Sequence, residues 1–542
     1  MTNTLNWWKG AVFYQIYPRS FFDSNGDGIG DLPGITQRLE HIAALGVEGV
    51  WICPFFTSPM KDFGYDVADY RAVDPLFGTL EDFRNLLGKA HDLGLRVIID
   101  LVLSHTSDQH PWFTDKPEYY VWADAKPDLF GERVPPNNWV SVFGGSAWEW
   151  DEARGQYYLH NFLKEQPDLN FHNPDVQDEM LGVVRYWLEF GVDGFRLDVA
   201  NFYFHDAELR DNPPRDAALG SATQFEGDDP YSAQAHIYDK SRPENLAFLR
   251  RLRGLMDEYP GTFTLGELGD DDFFARAAEY TGDGLLNTVY SPQLASGQHK
   301  DLTADMIRTP FEDLAEYPDG GWPSWAFSNH DVVRAASRWH ADGDGFSHDP
   351  RCSKMLIALL GALRGSVFLY QGEELGLPEA KLAYEDLQDP WGKHLWPRWQ
   401  GRDGCRTPLP WDGAQPYGGF SSGKPWLPMA QTHLPLSVAV QEDDKHSTLH
   451  FTRRYLKWRH GQAALRLGDL VFHDTDDVHV LHFTRRYKNE AIACVFNLGN
   501  TAQVFAGQAL RPYDFFLGDL RADDFEDDGF WDARSFSSSS EG

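Results

Sequence analysis

The chain has 542 residues, 42% hydrophobic and 24% charged, which is globular composition at a length that exceeds one hydrophobic core. Its 48 Lys and Arg stand against 82 Asp and Glu, a formal charge of −34, which excludes phosphate-rich partners such as nucleic acid and disfavours anionic membranes. Aromatic residues make up 14%, which excludes disorder for most of the chain.

In chain order, residues 1–10 lack the charged-then-apolar pattern of a secretory leader. The longest apolar runs, such as 355–363, are too short to cross a bilayer, so a cytoplasmic setting is expected. Cys53, Cys352, Cys405 and Cys494 are too scattered for a zinc motif or a disulfide framework. Residues 12–17 read as a strand. Residues 23–31 then place side-chain oxygens at Asp23, Asn25, Asp27 and Asp31. With the Ile29 carbonyl these can wrap one hard cation, Gly28 permitting the turn. A second strand is expected at 46–56 and a third at 96–105. Between them residues 81–94 form a helix with Phe83, Leu86, Leu87, Ala90 and Leu93 on one face and Gly94 at its end.

Residues 106–170 are rich in Trp, Pro, Asn and Gly and too long for a plain loop, so they are expected to form a small inserted domain. Asn173-Pro174 opens a helix whose apolar stripe is Val176, Met180, Val183, Val184, Trp187 and Leu188. Further strands are expected at 191–200, 262–268, 285–290, 322–329 and 366–371, with a second long insertion at 201–243. From about residue 465 the pattern changes to period two, as at Ile492, Cys494 and Phe496. That suggests an antiparallel β-sandwich domain over 465–542, with frayed residues at 535–542.

Eight apolar strands alternating with helices predict an α/β fold, a (β/α)8 TIM barrel built from 1–105 and 171–464. In such a barrel the functional groups lie at the C-terminal strand ends. Asp66, Asp100, Asp198, Glu267 and Asp331 are expected there, with His105, His330 and Arg196. One acid at a strand end reads as a helix cap, whereas this gathering points to chemistry. Arg196 stands two residues before Asp198, on the same face, and is expected to hold its pKa down.

Four segments carry a resemblance: Asp100-Leu-Val-Leu-Ser-His105, Gly194-Phe-Arg-Leu-Asp-Val199, Gly266-Glu-Leu268 and Phe327-Ser-Asn-His-Asp331. In order and strand position they resemble the motifs of the α-amylase superfamily, glycoside hydrolase family 13. Asp62-Phe-Gly-Tyr-Asp66, Gln371-Gly-Glu-Glu-Leu-Gly376 and Gly401-Arg-Asp-Gly-Cys-Arg-Thr-Pro408 resemble its bacterial α-glucosidases and oligo-1,6-glucosidases. The resemblance implies a retaining exo-α-glucosidase that releases glucose from the non-reducing end of short α-glucosides. It makes Asp198 the nucleophile, Glu267 the general acid/base in a setting that raises its pKa, and Asp331 the acid that binds the 2- and 3-hydroxyls. His105 and His330 would donate to hydroxyls, Asp66 and Arg402 would grip the terminal 4-hydroxyl, and Tyr65 would stack on that glucose. Phe143 and Phe162 are candidates for the neighbouring subsite.

The resemblance also implies a structural Ca2+ or Mg2+ on the loop formed by Asp23, Asn25, Asp27, Ile29 and Asp31, with no organic cofactor, in a monomer or homodimer. Ser104 stands where the family usually has Asn. Val199 goes with α-1,6 activity, whereas the 201–243 insertion resembles α-1,4-preferring enzymes, so α-1,4 preference with some α-1,6 tolerance is expected. Transfer of glucose is a further expectation. A sucrose isomerase or trehalose synthase would use the same scaffold. A phosphorylated disaccharide would need a basic pocket, and no Lys/Arg cluster stands near the motifs.

Overall fold

Eight short strands close into one parallel barrel: β1 (Val12–Ile16), β2 (Gly49–Ile52), β3 (Arg96–Leu101), β4 (Gly194–Leu197), β5 (Phe263–Glu267), β6 (Thr288–Ser291), β7 (Ser324–Ala326) and β8 (Ser366–Tyr370). Each pairs with the next in sequence, and β8 closes on β1 through Val12–Val367 to Gln15–Tyr370. This computed structural model describes residues 6–128, 130–216, 219, 229–295, 301–317, 321–339 and 349–519. The expected fraying at 535–542 lies outside them, as do residues 1–5 and parts of the 201–243 and 465–542 segments.

The strands are apolar on both faces because helices cover the outside. These are α1 (Leu32–Leu45), α2 (Leu80–Asp92), α3 (Pro174–Phe190), α4 (Asn245–Asp257), α5 (Phe273–Tyr280), α6 (Ala304–Ala315), α7 (Pro350–Ala362) and α8 (Thr448–His460). Inside, Phe13, Trp51, Ile98, Phe263 and Phe368 fill the barrel, with Phe13 and Phe368 stacked at 4.8 Å. The barrel is thus a packed core and not a pore.

The helices begin where local chemistry lets them. Thr79 and Asp82 form a reciprocal capping box at α2, and Asn173 caps α3 with Pro174 in its first turn. All six residues of the predicted α3 stripe are buried. In α2, Phe83, Leu86, Leu87 and Ala90 are buried, but Leu93 is exposed. It sits at the C-cap, past the last turn, and Gly94 follows it with φ 79°.

Residues 106–170 leave the barrel after β3. They hold a three-stranded antiparallel sheet (Trp122–Ala123, Gln156–Leu159, Trp148–Asp151) with a core of Val121, Trp139, Trp148 and Leu159. The backbone bridge His105–Asp168 and the Leu169 N–H to Ser104 carbonyl bond pin this unit to the segment that follows β3, and the bridge Tyr120–Leu169 ties its own two ends together. At the C-terminus, four antiparallel strands (Asp469–His473, Val480–Tyr487, Glu490–Asn497, Phe515–Asp519) form one sheet. Its Ile492, Cys494 and Phe496 join the main barrel core. The hairpin Gln503–Phe505/Gln508–Leu510 covers Val480 and Val495 on the other face. Among the described residues no helix is long and apolar enough to cross a membrane.

Candidate active site

The site follows from the register of three neighbouring strands. Parallel pairing sets Arg196 of β4 beside Asp100 of β3, and Leu197 beside Gly266 of β5. Period-two alternation turns Arg196 and Asp198 the same way. The Arg196 guanidinium donates through Nη1 to Asp100 Oδ1 (2.7 Å) and Asp198 Oδ1 (2.6 Å). Its Nη2 lies 2.6 Å from Glu267 Oε2. Asp198 and Glu267 line one cavity of ≈ 480 Å³, held on adjacent nitrogens of one planar group. Retaining glycosidases place two carboxyls close together, about 5–5.5 Å apart, and a shared guanidinium is one way to keep two acids near each other. Glu267 is the more open acid, its side chain 27% exposed against 8% for Asp198.

Val199 stands between the two acids with φ 36°, a left-handed conformation that a β-branched side chain adopts only at a cost. The turn aims its N–H at Glu267 Oε2, at 3.1 Å. Strain is therefore spent where the nucleophile strand meets the acid strand.

One guanidinium serves three carboxylates here. Burial pushes Asp198 well above the ordinary carboxylate range; Arg196 opposes the rise, and the Glu267 and Asp100 charges add to it. The same burial pushes Asp100 up to about 6 against Arg196. The expectation that Arg196 holds Asp198 down is thus corrected: its charge is shared, and desolvation wins. Asp100 and Asp198, both raised by burial and joined through Arg196, titrate together.

Asp331 is oppositely placed. Burial acts to raise it, but His330, Arg406 and Arg402 together hold it well below the usual range. Arg406 Nη2 is 2.6 Å and Arg402 Nη1 3.4 Å from its Oδ1. His330 Nδ1 accepts from Gln15 Nε2 (2.8 Å), which leaves Nε2–H for Asp331 Oδ2 (3.1 Å). Burial lowers His330 to about 3, so it is neutral. His330 stacks behind Tyr65, whose hydroxyl lies 2.7 Å from Nε2. Tyr65 lines the cavity and His330 does not, so its expected direct donation to substrate is replaced by support of Tyr65 and Asp331. His105 does line it, with Nε2 near the Tyr65 carbonyl (3.1 Å), and burial lowers it to about 4.

The expected Asp66–Arg402 pair is not what forms. Arg402 Nη2 lies 3.0 Å from Asp62 Oδ1, and Asp389 grips the same guanidinium through Nε (3.2 Å) and Nη2 (2.9 Å). Asp66 is fully buried and outside the cavity wall. It accepts from the backbone N–H of Lys61 and Asp62 and from Ser58 Oγ, and burial pushes it up to about 6. Asp66 folds the turn; Asp62, four residues earlier, is the acid that turn presents. Gln166 Nε2 lies 3.3 Å from Asp62 Oδ2. These partners close the inner end of the cavity, Arg402 and Asp62 being 7% and 5% exposed.

An aromatic row leads away from that end. Arg402 lies over Phe143 (5.4 Å), Phe143 meets Phe162 (5.8 Å), and Phe162 meets Phe202 (5.6 Å). Phe143 and Phe162 both line the cavity. Arg215 and Lys240, from the 201–243 insertion, are in the wall as well, so the cavity has cations that the motif neighbourhoods do not reveal.

A model of the alpha amylase catalytic domain matches residues 15–468. The chain belongs to the α-amylase family. Within it, the chain is 55% identical over 507 residues to the "Probable alpha-glucosidase" of Rhizobium meliloti (strain 1021), covering 92% of this chain and 90% of the relative. It is 36% identical over 542 residues to the oligo-1,6-glucosidase of Heyndrickxia coagulans, covering 92% and 93%. Among solved structures, the α-glucosyl transfer enzyme XgtA superposes with a TM-score of 0.90 at 51% identity, over 95% of this chain and 99% of that one. This α-amylase family member is a glycoside hydrolase acting on α-glucosides.

The family's loop at 23–31 is closed by its own hydrogen bonds. Asp23 accepts from the N–H of Asn25, Gly26 and Gly28 and from Ser421 Oγ. Asp27 Oδ1 accepts from Ile29 N–H, and Asp31 from Gly34 N–H and Ser24 as the N-cap of α1. Among the described residues no three His, Cys, Asp or Glu side chains converge as a metal site. The donor set of three carboxylates, an amide and a carbonyl is nonetheless all oxygen, the ligand type that suits a hard cation.

Two outcomes are expected. Asp62→Asn lowers kcat/KM on maltose about 30-fold by removing one of the acids on Arg402 at the cavity wall, Asp389 keeping its grip, whereas Asp66→Asn costs about 1–3 kcal/mol in chemical denaturation and changes kcat/KM far less; the reverse pattern would restore Asp66 as the gripping acid. In Asp100→Asn, loss of a charge that raises Asp198 keeps the nucleophile ionised to lower pH. The acidic limb of kcat/KM on an aryl α-glucoside then moves down, and an upward shift would contradict the shared-guanidinium cluster.

Proposed function

We propose that this enzyme is a retaining exo-α-glucosidase that removes one terminal glucose from short α-glucosides. The observation that carries the reading is the pair Asp198–Glu267 on one guanidinium, inside a cavity whose inner end is closed by Arg402 and Asp62. A closed end admits one sugar unit past the acids. Asp62, Arg402 and Asp331 supply acceptors and donors for its hydroxyls, and Tyr65 supplies a flat face.

In the first step Asp198 attacks the anomeric carbon while Glu267 gives its proton to the leaving oxygen. In the second, Glu267 takes a proton from water, which releases glucose with its configuration kept. The working state needs a proton on Glu267 and none on Asp198. Arg196 contacts both acids, so it holds them in place through both steps.

The reading includes α-1,4 preference with α-1,6 tolerance. Similarity to both an α-glucosidase and an oligo-1,6-glucosidase supports it. Similarity to an α-glucosyl transfer enzyme favours a second outcome on the same site, with an alcohol in place of water in the second step. The reading further includes a cytoplasmic monomer or homodimer, the −34 charge working against larger assemblies. It also includes a structural Ca2+ or Mg2+ held by Asp23, Asn25, Asp27, Asp31 and the Ile29 carbonyl, remote from proton transfer.

Nuclear magnetic resonance of the first product from maltose should show α-glucose ahead of mutarotation, and Asp198→Asn should lose at least about 10³-fold in kcat; β-glucose first, or an active variant, would refute the mechanism. EDTA should lower the melting temperature by several degrees, and Ca2+ or Mg2+ should restore it, whereas an unchanged melting temperature would leave the loop to its own hydrogen bonds.

A further inference from the structure

We propose that Lys240 is a specificity-determining residue whose ammonium donates to the hydroxyl and ether oxygens of the leaving group; this deepens the α-glucosidase reading and rests on it. Lys240 is only 8% exposed, yet it lines the same cavity as Asp198 and Glu267. Among the described residues its Nζ has one hydrogen-bond partner, the Tyr231 hydroxyl at 2.9 Å, and makes no ion pair. An ammonium carries three N–H donors. Two remain for whatever fills the cavity, and a buried charge left under-satisfied is costly unless a ligand completes it.

The amine is held firmly. Its Nζ lies over the rings of Phe202 and Tyr231, 5.1 Å from each centroid. Tyr231 in turn stacks on His236 at 3.7 Å, and His236 bridges Asp239 Oδ2 (2.5 Å) and the Tyr231 carbonyl (2.8 Å). Burial lowers the Lys240 pKa from the ordinary lysine value, the cost of placing an ammonium here.

Position assigns the donor to the leaving group. The aromatic row runs from Arg402 through Phe143 and Phe162 to Phe202, and Lys240 caps its far end. The terminal-glucose partners are gathered at the Arg402 end. The charges that act on Lys240 are Asp239, Asp270, Asp271 and Arg215, so acids outnumber cations around it. That balance suits a neutral polyhydroxyl leaving group, a second sugar, and disfavours a phosphorylated one.

The test compares maltose with α-glucosyl fluoride, whose leaving group is a single atom that cannot reach Lys240. In Lys240→Met, kcat/KM on maltose should fall at least about tenfold further than on the fluoride, and Lys240→Arg, which keeps donors, should recover part of the difference. Activity on the fluoride reports a folded site in the same sample. Should Lys240→Met yield no folded protein, Lys240→Gln carries the same comparison. Equal losses on both substrates, or no loss on either, would overturn the role of Lys240 while leaving the glucosidase reading intact. A wild type inactive on both would overturn that reading and this inference with it.

Discussion

Three carboxylates share one buried guanidinium, and the chemistry of this enzyme depends on that imbalance. A lone Arg–Asp pair would keep its acid ionised and satisfied. By touching Asp100, Asp198 and Glu267 together, Arg196 can neutralise one of three charges and leaves two unmatched. A retained proton is the cheapest remedy in a dry setting. The proposed glycosidase cycle needs a mobile proton beside a carboxylate free to attack, and the barrel register brings these acids onto one arginine.

The barrel and its insertions divide the work. Strands β3, β4 and β5 position the acids through backbone pairing, which is rigid and insensitive to surface sequence. Recognition comes from elsewhere: Asp62 from the turn after β2, Phe143, Phe162 and Gln166 from the domain inserted after β3, Lys240 from the insertion after β4, and Arg402 from the segment after β8. Substrate choice can therefore drift with the loops while bond cleavage stays with the sheet. The pin between His105 and Asp168 keeps the inserted domain tied to the strand that bears Asp100, so the two halves of the task remain in register.

The barrel was legible because its signal is repeated: apolar strands alternate with amphipathic helices, and acids stand at or beyond several of the strand ends. The acids and Arg196 were legible because two-residue spacing on a strand decides direction. Asp66 misled because Asp62 and Asp66 lie in one tight turn, where only the hydrogen bonds decide which acid folds the turn and which faces the cavity. Arg402 meets Asp62 across 340 residues, Gln166 meets Asp62 across 104 and Arg406 meets Asp331 across 75, while Asp389 and Lys240 are placed by loop geometry; no repeating pattern carries any of them. Context can even reverse local preference: Phe-Thr-Arg-Arg-Tyr is helical at 451–455 and a strand at 483–487, since tertiary burial outweighs propensity.

The sealed floor made by Arg402 and Asp62 also dictates traffic. In the proposed mechanism the glucose seated against that floor would leave last, after the severed partner had cleared the way to the sugar on Asp198. Whatever next reached that sugar would choose the product: another sugar would give transfer, and water would give hydrolysis. The balance between the two is then a question of queueing at the threshold, set by architecture rather than by any change in the acids themselves.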